Sequence, residues 1–315
     1  MLSLQRNVDF GDVGVILIND GEESRLPDDL FAGYPFEVRN ITIPHSGVSR
    51  ARNAGIDASE AEWVMVCDFD DSFMSLNGLH ILLTAAKDDR KVMWWSHFIE
   101  ETQKPDGSII YIPHNRDYIF NHGKMFRREW LVKEKLRYCD KLTLHEDVYF
   151  NTLTQAVAPD EQIGEIESGF YCWCWNGQSV SRSFRNMLIE TYNHQIRQRI
   201  AICRQLEERG LKEALELTIV KTIIDGYYDF QKSDWLDKEF TKEYKTAERW
   251  YCAFLKEYGN EYRKTDPKRV AGMARLSRDY HMQCGGFLME RFTLRDFLLH
   301  MINEVKPIPK SEWDL

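Results

Sequence analysis

The sequence predicts an α/β domain, a mostly parallel sheet flanked by helices, followed by a helical C-terminal domain. Three observations lead there. Short apolar runs alternate with helical or loop segments between Val13 and Trp95, the pattern of strands joined by crossover helices. One of those runs, Trp63-Val64-Met65-Val66-Cys67, passes directly into Asp68, Asp70 and Asp71. After Phe184 the chain turns to long stretches rich in Glu, Lys, Arg and Leu, residues that favour helices.

In chain order, residues 13–18 read as a strand that ends at the turn sequence Asn19-Asp20-Gly21. Residues 36–43 alternate as a second strand and stop at Pro44. Residues 48–59 read as a helix, with Ala51, Gly55 and Ala58 as small residues on one face for close packing. Residues 63–67 are too few and too β-prone for a helix, so they read as a strand buried on both faces. Residues 92–95 supply a fourth strand. From 117 to 183 the pattern is irregular and aromatic, with turn-like sites at 121–123 and 175–177. Three long helices are expected at 187–209, 211–230 and 234–258, and a shorter one at 293–304. The expected division is a domain at 1–185 and a helical domain at 186–315. The second packs on the first or on another subunit of a homo-oligomer.

Composition narrows the function. With 43% hydrophobic and 13% aromatic residues the chain can build a substantial core, and a net charge of −9 excludes nucleic acid as a natural partner. Seven cysteines without a CxxC pair point to reduced thiols. Cys172 and Cys174 read as small core residues rather than a metal pair. No apolar run reaches the ~18 residues that span a bilayer, and the first residues do not resemble a signal peptide. A cytoplasmic protein is expected, with a membrane-surface acceptor still open.

The chemistry collects at strand ends. A strand that runs into carboxylates places them at the sheet edge where open α/β folds bind ligands. Hard oxygen ligands there suit a divalent cation carrying phosphates. Asp20 follows the first strand as Asp68 and Asp70 follow the third, so the three can converge. Between them, a helix starting after Gly47 carries Arg50 and Arg52, and both a helix start and a guanidinium favour phosphate oxygens. Farther on, Glu146-Asp147 opens another helical run; it can serve the helix dipole, or supply a general base toward an acceptor hydroxyl. Asp20 is equally at home in a structural turn, and the tryptophans at 94, 95, 173 and 175 suit packing better than sugar stacking. Lys124 reads as a solvated lysine.

These residues carry a resemblance. Gly47-Val48-Ser49-Arg50-Ala51-Arg52-Asn53-Ala54-Gly55-Ile56 followed by Cys67-Asp68-Phe69-Asp70-Asp71 resembles the family 2 glycosyltransferases of GT-A fold. Those enzymes carry a G-x-x-x-A-R-N-x-G helix before a D-x-D-D motif. His122-Gly123-Lys124-Met125-Phe126-Arg127-Arg128, His145-Glu146-Asp147 and the stretch from Trp173 to Ser183 resemble further motifs of their polysaccharide-making members, in the same order. The resemblance implies a nucleotide-sugar donor, most simply a UDP-sugar, a saccharide or lipid-linked acceptor, and transfer with inversion. It implies that Asp20 holds the base or ribose, and that Arg52, with its neighbour Asn53, lies at the donor near the base or diphosphate. Asp68 would lie on the ribose side. Asp70, with Asp68, would bind Mn²⁺ or Mg²⁺, and Asp147 would be the base, with Glu146 its neighbour.

The resemblance starts at what would be the end of the family's first helix. The family's first strand, central in the sheet, has no counterpart here, so an N-terminally truncated domain is expected. Two alternatives stay open: a nucleotidyltransferase on a similar sheet, and a catalytically silent binding or scaffold protein with a damaged donor site.

Overall fold

The computed structural model describes residues 2–104, 106–115, 117–179, 189–231, 241–283 and 292–315. The chain forms two compact units, Met1–Ser179 and Val180–Leu315. The expected boundary near 185 and the end of the motif running to Ser183 lie outside the described residues.

In the first unit, β1 (Gly14–Asp20) pairs in parallel with β2 (Glu37–Ile43), from Gly14 opposite Glu37 to Asp20 opposite Ile43. The chain then enters α1 (Val48–Ala58), which returns along β1. Gly55 provides the close approach foreseen for the small-residue face: a Cβ there would sit 3.6 Å from Ile18. β3 (Trp63–Met65) is shorter than the predicted strand, because the chain leaves the ladder before Cys67.

A second sheet holds β3, β4 (Ser72–Phe73), β5 (Met93–Gln103), β6 (Ile109–His114), β7 (Lys124–Arg127) and β8 (Ile163–Trp173). Its order is β3-β7-β5-β8-β4, with β6 on the far part of β5. The α/β class is as expected, but the sheet is mixed rather than mostly parallel. β1 with β2 and β5 with β8 are parallel, whereas β3 with β7, β7 with β5, β5 with β6 and β4 with β8 are antiparallel. The reason lies in the aromatic stretch that shows no clear period. There β6 folds back on β5 as a hairpin, and the loop after β6 feeds β7 in between β3 and β5.

Helices α2 (Gly78–Ala85), α3 (Arg128–Lys133) and α4 (Glu146–Val157) complete the unit. Phe73, Leu79, Leu82, Phe98, Met125 and Phe170 are among its buried core.

The second unit is helical, as expected: α5 (Ile189–Glu208), α6 (Lys212–Asp229), α7 (Thr241–Lys264), α8 (Pro267–Gln283) and α9 (Leu294–Asn303). The charge-rich α8 is not among the predicted helices. Ile200, Ile223, Phe230, Phe254, Phe297 and Met301 belong to the core. At Gly226, a Cβ would lie 2.0 Å from the Tyr251 ring, so this glycine lets α6 and α7 touch. A capping box between Thr293 and Asp296 starts α9. Among the described residues, no helix is long and apolar enough to cross a membrane.

Candidate active site

Asp20 closes β1, and its two oxygens accept the backbone N–H groups of Ser46 (2.7 Å) and Gly47 (2.9 Å). Burial opposes its charge, but these two donors, with His45, outweigh it and hold the carboxyl below its ordinary value. Asp20 thus ties the end of β1 to the entry of α1, where Gly47 has φ of 91°.

From α1, the side chains of Ser49, Arg50 and Asn53 reach the segment before α4, Arg50 by pairing with Asp140. The Ser49 hydroxyl donates to Leu142 O, and the Asn53 amide brackets Tyr138, donating to its carbonyl (2.9 Å) and accepting from its N–H (3.0 Å). Both polar ends of Asn53 are therefore engaged in holding the loop. Arg52 does the joining. One terminal nitrogen donates to Glu146 Oε1 at 2.5 Å and the other to Asp68 Oδ1 at 2.8 Å, with the guanidinium carbon 5.4 Å from the centre of the Tyr138 ring. Burial opposes the charge of Arg52, but Asp68, Tyr138 and Glu146 more than reverse this, and its pKa is raised. Its Nε is buried with no hydrogen-bond partner in the structure.

The acids separate into distinct environments. Asp71 is almost wholly buried; it accepts from the Tyr171 hydroxyl (2.6 Å) and the Cys174 N–H (3.0 Å), with His122 Nδ1 3.5 Å away. It anchors the turn. Asp70 is exposed and accepts the amide of Asn176 at 2.8 Å, while Asp68 keeps one oxygen beyond the Arg52 contact. Asp147 is partly buried, and burial followed by the neighbouring Glu146 charge raises its pKa to about 7, although Arg52 pulls the other way. His145, just before it, has a left-handed φ of 61°, a conformation that a non-glycine residue holds only when its surroundings require it.

Lys124 corrects the expectation of a solvated side chain. It opens β7, which has a strand on either side, and it is fully buried. Its ammonium donates to Phe120 O and lies 3.9 Å from Asp117; burial lowers its pKa to about 8. Beside it Gly123 has φ of 67°, and a Cβ there would lie 2.2 Å from Ser96 Oγ, so this bend requires glycine. The tryptophans are packed: Trp94 against Gly164, Trp95 against Tyr118, and Trp173 stacked on His122.

Arg52 therefore brings Asp68 and the Glu146-Asp147 pair together. Asp70 follows two residues after Asp68, and Asp20 is joined through the start of α1. Asn176 and Tyr138 are partners that pattern reading does not assign; Asn176 sits inside a motif, but no spacing marks its partner.

The mixed sheet thus carries an acidic strand end bridged by Arg52 to the acid that opens α4. Residues 2–140 match the model of Glycosyl transferase family 2, and this span is a family 2 glycosyltransferase domain of GT-A fold. No curated protein matches the chain in sequence. Among solved structures, S. aureus TarS 1–349 in complex with UDP is similar in fold, with 12% identity, a TM-score of 0.53, and coverage of 90% of this chain and 86% of that one. TarS 1–349 in complex with UDP-GlcNAc matches at 13% identity and a TM-score of 0.55, over 91% of this chain and 87% of that one.

Proposed function

We propose that the chain transfers a sugar from a nucleotide-diphosphate sugar, a UDP-sugar first among them, to a saccharide or lipid-linked saccharide hydroxyl with inversion at the anomeric carbon. The observation that carries this reading is the Arg52 bridge from Asp68 to Glu146 beside Asp147. The family of residues 2–140 and the fold shared with TarS, solved with UDP and with UDP-GlcNAc, support it.

Asp147 is the base. A pKa of about 7 lets it take a proton from an acceptor hydroxyl near neutral pH while remaining a useful fraction ionised. Glu146, held by Arg52, keeps the approach to Asp147 in register and adds the negative charge that makes Asp147 a stronger base. The acceptor oxygen attacks the anomeric carbon as the bond to the diphosphate breaks, in one displacement that inverts configuration.

The donor diphosphate would lie at Asp68 and Asp70. No group of three or more acidic, His or Cys ligands occurs among the described residues. Two carboxylates still fit a hard cation that takes its remaining ligands from phosphate and water. Asp70 and the free oxygen of Asp68 would hold Mn²⁺ or Mg²⁺, which when bound offsets charge on the leaving diphosphate. Arg52 keeps Asp68 aimed at that position.

Incubation with a panel of UDP-sugars and saccharide acceptors, with and without Mn²⁺, tests the reading. UDP release coupled to a glycosylated product of inverted configuration is expected. A retained configuration, or no product with any donor while the folded chain binds UDP, counts against it.

A further inference from the structure

Asp147, Asn151 and Gln155 recur every fourth residue of α4, a spacing that sets them along one face of the helix. Beyond Asp147 that face is covered by a strip of backbone, residues 117–120. Gln155 Nε2 donates to Tyr118 O, and Asn151 Nδ2 donates to Ile119 O at 2.8 Å. Phe120 O accepts from the buried ammonium of Lys124, and the charge of Asp147 acts on that same ammonium. From Tyr118 to Phe120 the strip therefore runs along α4 toward the acid at its start.

The backbone of the strip is satisfied from within. Asp117 Oδ1 accepts the N–H groups of Ile119 (2.8 Å) and Phe120 (3.0 Å). One residue on, Asn121 Oδ1 accepts the Asn151 amide (3.1 Å) and the Tyr138 hydroxyl (2.9 Å). A surface segment can leave such groups to water; here a fully buried lysine and a fully buried asparagine hold them, at the desolvation cost of a charge. With the backbone turned inward, Tyr118 and Ile119 stand 42% and 41% exposed. Buried Trp95 backs the Tyr118 ring, their centroids 4.4 Å apart.

An aromatic and an aliphatic side chain, held outward on the helix face that begins at Asp147, suit a saccharide. The C–H face of a sugar ring is apolar and packs on an aromatic ring, whose large rigid surface supplies the contact. A platform already ordered loses little entropy when it binds. Its place on α4 decides which ring it meets. Tyr118 is held by Gln155, eight residues past Asp147, or about 12 Å along the helix axis. A sugar whose own hydroxyl lies at Asp147 does not extend that far.

With Asp147 as the base, the reading on which this step rests, we propose that Tyr118 and Ile119 form an acceptor subsite for a sugar ring beyond the one that reacts. The chain then extends an acceptor of two or more linked sugars rather than a single sugar. The reacting ring lies at Asp147, the next lies over the strip, and the Tyr118 ring stacks on it. Gln155, Asn151 and Lys124 position the strip and do not touch the acceptor.

Calorimetry on the full chain with UDP present reads the subsite without chemistry. The probes are N-acetylglucosamine, glucose and galactose, each as the single sugar, its β-linked disaccharide and its trisaccharide. In at least one series the longer sugars should bind about tenfold more tightly than the single one, the scale of one well-packed aromatic contact. Tyr118→Ala should abolish that gain, and Tyr118→Phe, which keeps the ring, should retain it. Ile119→Ala, which leaves Tyr118 on Trp95, should reduce it in part, and thermal melting checks that each variant is folded. Affinity independent of length in every series overturns the subsite. So does a length dependence that survives Tyr118→Ala, or a chain that binds UDP and none of these sugars. Length-dependent binding through Tyr118 without transfer keeps the subsite and counts against Asp147 as base. Transfer to single and linked sugars with equal kcat/KM keeps the base and overturns the subsite.

Discussion

Asp147→Asn separates stability from catalysis and gives the sharpest internal test of the site. The side chain keeps its shape and loses its charge. In the folded protein burial and Glu146 raise the Asp147 pKa from 3.8 to about 7, a shift of about 3 units, or about 4 kcal/mol at ~1.4 kcal/mol per unit. The sign follows from linkage. A carboxyl with a raised folded pKa is favoured in the native state when protonated, so its contribution is complete below the unfolded value of 3.8. It is lost as pH climbs, and above about 7 the full penalty applies. The asparagine variant carries no such penalty. Urea unfolding of both proteins from pH 4 to pH 8 should therefore show near-equal stability at the acid end and a growing advantage for the variant toward pH 8, with about 4 kcal/mol as the ceiling. The same variant should bind a UDP-sugar as the parent does and lose transfer. Parallel stability curves would refute a buried, charge-crowded Asp147. Retained transfer would refute its role as base.

Other consequences are equally open to measurement. Arg52→Met removes the partner of Glu146 and Asp68; breaking a buried ion pair costs about 3–5 kcal/mol, and the half-exposed Asp68 puts the expected loss at the lower end. Because Arg52 lowers the Asp147 pKa, the acid limb of the kcat/KM profile should also move to higher pH, and an unmoved limb would dissociate the two groups. Asn53→Ala should destabilise the loop at Tyr138 with little direct effect on donor affinity, checked by thermal melting beside UDP titration. Gly226→Ala forces a methyl toward the Tyr251 ring, so the α6–α7 contact should weaken by about 1–3 kcal/mol, read from urea unfolding followed by far-UV circular dichroism.

Local chemistry made much of this fold legible. The helix expected at 48–59 is α1, Val48–Ala58, because small residues and a glycine entry are local signals. Asp68 and Asp70 stand out because an apolar run ends abruptly in acids. Lys124 could not be read this way. Its burial comes from β7 lying between β3 and β5, a pairing set by residues far away in sequence. The mixed sheet has the same origin, since β5, β6 and β7 meet through a hairpin and a loop inside an aperiodic segment. Asp20 and Asn53 show a further limit. Both belong to recognisable patterns, but their oxygens and amide bind backbone groups of Ser46, Gly47 and Tyr138, partners that carry no side-chain signature. Helix α8 is missed for a different reason: its sequence is dominated by charged and polar residues, so its packing face is narrow.

In the proposed function Asp68 and Asp70 receive a metal-bound nucleotide diphosphate. Calorimetric titration of UDP-GlcNAc and other UDP-sugars into the chain, with and without Mn²⁺ and repeated on Asp70→Ala, tests it most directly. Binding that Mn²⁺ strengthens is expected in the parent, with that metal dependence abolished in the variant. Metal-enhanced binding that survives Asp70→Ala unchanged would contradict it.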